Sequence, residues 1–204
     1  MMIKYNLKFS NKINRLISAN LIETEKWSGY VFEGESGVLA FGAFKRVCRS
    51  QFLTNDILIH AQRQAEGWSH GISRIKWKNL PDGKVPDRIL LWKQILDTAP
   101  TDHLHTDPVN VELCGTPFQI EVWKALLDSN PGEQLTYGSL AEKIRPRRGN
   151  RYARAVGQAV GANPVAFLVP CHRVVGARGD LRAFRWGVEF RNHLINLELE
   201  IGKQ

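Results

Sequence analysis

The sequence predicts an α/β (α+β) fold in two parts: a small sheet-containing N-terminal domain over residues 1–108, then a mainly helical C-terminal domain over residues 109–204 with a helix-turn-helix. Three observations predict it. Short alternating apolar stretches punctuated by glycine fill the first part, apolar residues at helical spacing take over after Gly115, and a polar, proline-containing connection from Ala99 to Pro108 separates them. With 204 residues, 43% of them hydrophobic, the chain is long enough to bury a core in one large domain or two small ones.

In the first part, Tyr30-Val31-Phe32 and Val38-Leu39-Ala40-Phe41 read as strands, with Gly29, Gly34, Gly37 and Gly42 as turn punctuation. A helix is expected from Asp56 to Glu66, a strand-like stretch from Ile72 to Trp77, a turn at Pro81-Asp82-Gly83 and a short helix from Ile89 to Leu96. Beyond Gly115, Phe118, Val122 and Leu126 recur at helical spacing beside Trp123 and Leu127. Thr116 supplies the cap, Pro117 the first turn, and Pro131-Gly132 ends the helix. Thr136 caps a short helix through Leu140, Ala141 and Ile144. After a basic connection, Pro146 to Asn150, a second helix is expected from about Tyr152 to Gly161. A terminal helix from Gly187 to Leu199 carries an apolar stripe of Phe190, Leu194 and Leu197, with Glu198 at its border.

The formal charge is +8, and its position is more informative than its size. From Ala141 to Arg191 there are eleven cations, all but Lys143 arginine, against Glu142, Asp180 and Glu189, so the rest of the chain is neutral. Arginine forks match phosphate oxygens, and such a local field suits nucleic acid. The helix after the basic connection is thin: beyond Arg154 it reads Ala155-Val156-Gly157-Gln158-Ala159-Val160-Gly161, and only Gln158 can reach a base edge. That composition fits a shallow minor-groove contact better than major-groove readout. No run of eighteen apolar residues and no signal-type segment occurs, so a cytoplasmic protein away from membranes is expected, nuclear in a eukaryote. Cys48, Cys114 and Cys171 are too few for a disulfide framework and lack metal-site spacing, so no metal is expected.

One cysteine has chemistry around it. Pro170-Cys171-His172-Arg173-Val174-Val175 follows the apolar, strand-like run Val165 to Val169. A histidine beside a cysteine promotes thiolate, and Asn163-Pro164 and Pro170 mark irregular backbone able to present a side chain to a pocket. Glu198 is the candidate to orient His172.

These residues, with Gly115-Thr116, Phe118-Gln119, Val122-Trp123, Tyr137-Gly138, Leu140-Ala141 and Arg154-Ala155-Val156-Gly157, closely resemble the O6-alkylguanine-DNA alkyltransferases over about residues 114 to 200. The resemblance implies single-turnover repair of O6-alkylguanine in double-stranded DNA by a monomer without cofactors. Cys171 would accept the alkyl group, His172 would act as base through a water, Glu198 would orient His172, and Asn163 would tie the helix-turn-helix to the active-site loop. Tyr137, Val174, Phe184 and the backbone near Arg185 would hold the flipped base. Arg154 would fill the gap left in the duplex, with Arg147, Arg148, Arg151, Gln158 and Arg173 on the DNA. The sequence departs from the family at Ala183-Phe184, where Gly or Asn is usually followed by Tyr, and in a longer, more basic stretch between Ile144 and Arg154. Three rivals are a lesion sensor, a helix-turn-helix regulator and a Cys-His hydrolase. Against them stand, respectively, the presence of Cys171, the thin second helix and the arginine-rich face.

Overall fold

The computed structural model describes residues 5–10, 16–23, 27–34, 37–45, 77–78, 96, 109–147, 149–177, 179 and 184–201. It mixes strands and helices, and its contacts divide the chain into two units, Met1–Cys114 and Gly115–Gln204. The expected helix from Asp56 to Glu66, the Pro81-Asp82-Gly83 turn, the Ala99–Pro108 connection, Arg148 and Ala183 lie outside the described residues.

The first unit is a six-stranded mixed sheet. Its strands are β1 (Tyr5–Ser10), β2 (Leu16–Glu23), β3 (Trp27–Gly34), β4 (Gly37–Lys45), β5 (Trp77–Lys78) and β6 (Val109–Cys114), in the order β1-β6-β4-β3-β2-β5. The two expected stretches are β3 and β4, paired antiparallel with Val31 opposite Phe41. β6 runs parallel to β1, with Leu7 opposite Val111 and Phe9 opposite Leu113, and touches β4 through Val38 and Val111. Val111 and Leu113, two residues apart and so on one face, are fully buried with Trp27, Val31 and Leu96. Because β6 belongs to this sheet, the unit ends after Cys114 and not after Pro108.

The second unit contains helices α1 (Pro117–Leu127), α2 (Tyr137–Ile144), α3 (Gly149–Gly161) and α4 (Val188–Ile201), with a parallel pair of short strands, β7 (Leu135–Thr136) and β8 (Val174–Val175). α1 begins as its sequence dictates. The Gln119 N–H donates to Thr116 Oγ1 (3.3 Å) and the Thr116 N–H to Gln119 Oε1 (2.8 Å), with Pro117 where no intrahelical donor is needed. Thr136 and Ser139 repeat the reciprocal cap at α2. The buried stripe of α1 is Val122, Trp123 and Leu126, and the Trp123 indole N–H donates to the Ala159 carbonyl at 2.9 Å, fixing α1 to α3. A Cβ at Gly115 would come within 2.7 Å of the Trp123 ring, so only glycine fits where the chain enters this unit.

α3 starts one turn before the expected Tyr152, at Gly149, and the basic connection shrinks to a tight turn. Arg147 makes this possible by taking a left-handed backbone (φ 67°) and donating its N–H to Glu142. Arg145 braces the same turn. Its guanidinium forks onto the Glu121 carboxylate of α1, 2.7 Å to Oε2, and lies over the Phe118 and Tyr152 rings at 5.8 and 5.9 Å. Arg145 is thereby occupied within the fold.

Candidate active site

Asn163 builds the floor of the site. The expected strand from Val165 to Val169 is instead a buried irregular loop: Pro164 and Pro170 offer no N–H to a ladder, and Phe167 is left-handed (φ 70°). A buried loop must still satisfy its backbone, and the fully buried Asn163 amide does so. Its Oδ1 accepts from the Val165 N–H (3.0 Å), and its Nδ2 donates to the Val165 and Val169 carbonyls (3.2 and 2.9 Å). The same Nδ2 lies 3.1 Å from Cys171 Sγ.

Cys171 opens a short 3-10 turn, Cys171–Arg173, and is 3% exposed at the base of a cleft of about 350 Å³. Burial pushes its thiol up to about 11, against the opposing pull of the Asn163 amide and the Arg185 and Arg191 cations. At neutral pH the resting group is therefore the thiol, and it needs a base to become a nucleophile. His172 is next in the chain and completely buried, with the Phe167 ring stacked on it (centroids 6.2 Å apart, planes at 16°). Its Nε2 comes within 2.8 Å of Glu198 Oε1, short but oblique, so neither ring nitrogen has a fully formed hydrogen bond among the described residues. Burial holds the imidazole below its ordinary pKa, against the upward pull of Glu198, and so keeps it neutral and able to accept a proton.

Glu198 sits on α4, whose buried stripe is Phe190, Leu194 and Leu197. Burial alone would raise its carboxyl. The close approach of the His172 ring, with hydrogen bonds from Arg173 and the Gly132 N–H at 2.9 Å, outweighs that and brings it down to about 2. It is a carboxylate at any working pH.

The walls of the cleft bring together most of the residues expected from sequence: Tyr137, Val174, Phe184 and Arg185, with Arg154 and Gln158 from α3. Arg151, Arg154 and Gln158 are exposed at helical spacing on one face of α3, while Val156, Ala159 and Val160 are buried on the other, so the thin helix both packs tightly and presents a polar face. Gly157 faces Tyr137, where a Cβ would stand 3.6 Å from the ring. Arg147 is exposed in the turn before α3.

Arg173 is the correction. Expected on DNA, it is 8% exposed, with Nε and Nη2 bound to Glu198 (2.6 to 3.0 Å) and Nη1 bound to Ser129 O and Oγ (2.5 and 2.8 Å). A buried guanidinium with four of its five donors spent inside the fold is not presented to a phosphate. Arg191, counted in the basic field, was not expected at the site. It is 2% exposed on α4, donates to the carbonyls of His172 (3.0 Å) and Val174, lies over Phe184 at 5.7 Å and lines the cleft. Its signal was present in the sequence: it precedes Glu198 by seven residues, two helical turns, and so shares the face that turns inward.

A buried cysteine thus lines a cleft walled by an arginine-bearing helix, with a buried, neutral histidine next to it in the chain. Residues 117–200, within the second unit, match the family described as 6-O-methylguanine DNA methyltransferase, DNA binding domain. The inducible methylated-DNA--protein-cysteine methyltransferase of Bacillus subtilis is 44% identical over 90 residues, 44% of this chain and 49% of the relative. The methylated-DNA--protein-cysteine methyltransferase of Shigella flexneri is 42% identical over 105 residues, 51% of this chain and 53% of the relative. The matched part thus spans about half the length of these curated relatives. The crystal structure of Mycobacterium tuberculosis OGT in complex with DNA superposes with a TM-score of 0.58 at 28% identity, covering 90% of this chain and 94% of that one. No helix among the described residues is long and apolar enough to cross a membrane.

Proposed function

We propose that this chain repairs double-stranded DNA by transferring an alkyl group from O6-alkylguanine irreversibly to Cys171. The observation that carries the reading is the position of Cys171 Sγ at the base of a cleft sized for a small ligand, beside a buried neutral imidazole whose Nδ1 has no hydrogen-bond partner among the described residues. The thiol proton passes to His172, and Glu198 balances the imidazolium that forms. Sγ then bonds the alkyl carbon as the carbon–O6 bond breaks, and its electron pair remains on the guanine, which is made neutral by return of a proton. Donors from Tyr137 and from the backbone near Arg185 stabilise the charge developing on the ring. The thioether offers no leaving group, so each molecule acts once.

In this reading α2 and α3 form the helix-turn-helix, α3 lies along the minor groove, and Arg147, Arg148 and Arg151 meet phosphates, while Arg154 enters the base stack. Duplex containing methyl-labelled O6-methylguanine tests the transfer: one equivalent of label is expected per protein, on the peptide carrying Cys171. More than one equivalent, or label on another residue, contradicts the reading. The binding surface has its own test. Arg147→Ala and Arg151→Ala are each expected to lessen the slope of log affinity against log salt by about one. Slopes that stay at the wild-type value would remove these arginines from the interface.

A further inference from the structure

Arg173 takes part in the proposed reaction from a buried position. The Glu198 carboxylate is shared between two groups: Oε1 lies 2.6 Å from Arg173 Nη2, 2.9 Å from Arg173 Nε and 2.8 Å from His172 Nε2, while Oε2 takes the Arg173 Nε–H (3.0 Å) and the Gly132 N–H (2.9 Å). The other side of the guanidinium is fixed to Ser129 in the turn after α1. A carboxylate facing an imidazole alone favours imidazolium, and a histidine already protonated cannot take a proton from a thiol held near 11.

We infer that Arg173 is a positioning residue which, by occupying and neutralising Glu198, leaves that carboxylate able to orient His172 but too weak an anion to hold it as imidazolium in the resting state. Among the described residues, few charged and titratable groups surround the pair. Glu198 and Arg191 face His172 from α4, Arg173 faces it from its own turn, and Phe167 covers its ring; Glu133 is the further carboxylate within electrostatic reach of Arg173. Burial and the two arginines disfavour imidazolium and Glu198 favours it, so the loss of Arg173 shifts the balance at His172 toward imidazolium.

The proposal rests on the alkyl-transfer reading, but its test does not. His172 is titrated by NMR in the full-length, unreacted protein without DNA. Arg173→Gln is expected to raise the His172 pKa by about one unit or more, the usual effect of a unit charge at this range. Arg173→Lys, which keeps the charge but loses the fork, should give a smaller rise in the same direction and supplies the measurement if the glutamine variant does not fold. Arg173→Gln combined with Glu198→Gln should abolish the rise, because the arginine acts through the carboxylate. In transfer assays the acid limb of the Arg173→Gln pH–rate profile should move up with the pKa, an approximately tenfold loss on the acid side that is recovered at higher pH. A His172 titration unchanged in the folded variants, or a rate loss equal at every pH, overturns the proposal and marks Arg173 as structural only. A wild-type protein that transfers no label would sink the alkyl-transfer reading and leave the titration result standing.

Discussion

Cys171→Ala is expected to transfer no alkyl group at any enzyme concentration while binding alkylated duplex as tightly as the wild type. The loss should be complete because no second thiol is described at the cleft and the imidazole of His172 is buried and turned to Glu198. Folding should survive, since the Asn163 amide that organises the loop keeps its bonds to Val165 and Val169 when the one to sulfur is lost. Binding should survive because Arg147, Arg151 and Arg154 are exposed surface residues that owe nothing to the thiol. The check is paired: repair of labelled duplex and an equilibrium binding curve on the same preparation. Residual transfer would place the acceptor elsewhere, and loss of both properties together would make Cys171 a core residue.

Arg154→Ala is expected to slow repair of duplex DNA by about a hundredfold and to leave reaction with the free base O6-benzylguanine nearly unchanged. Extruding a base costs a few kcal/mol of stacking and pairing, and a guanidinium inserted in its place recovers part of that; about 2 to 3 kcal/mol corresponds to the stated factor. The structure gives Arg154 the means. It is exposed on α3 at the rim of the cleft that ends at Cys171, next to Gly157 and Gly161, where the absence of side chains permits close approach of the duplex. A free base needs no extrusion and so should be indifferent to the change. Equal losses on both substrates would assign Arg154 to the active site itself, and no loss on either would transfer the role to Arg151, one turn earlier on the same face.

Much of the architecture was legible because it is encoded locally. Thr116, Pro117 and Thr136 carry their cap chemistry within three residues, the stripes Val122–Leu126 and Phe190–Leu197 carry a helical period, and β3 and β4 carry alternation. The apolar residues from Val165 to Val169 read by themselves as a strand. It becomes a loop because the flanking prolines withhold donors and the neighbouring Asn163 side-chain amide satisfies its backbone instead.

The acceptor candidate, its histidine neighbour and the basic, small-residue helix are each a composition or an adjacency along the chain and can be read from it directly. Which arginines face solvent is set by long-range contacts in the fold. Residues 147, 151, 154, 173 and 191 are chemically alike in the sequence, yet the first three are exposed, whereas Arg173 is spent on Glu198 and Ser129 and Arg191 on the carbonyls of His172 and Val174. A guanidinium becomes part of the interior when the fold brings a buried carboxylate or unpaired carbonyls within reach of its fork, and that proximity joins residues far apart in the chain.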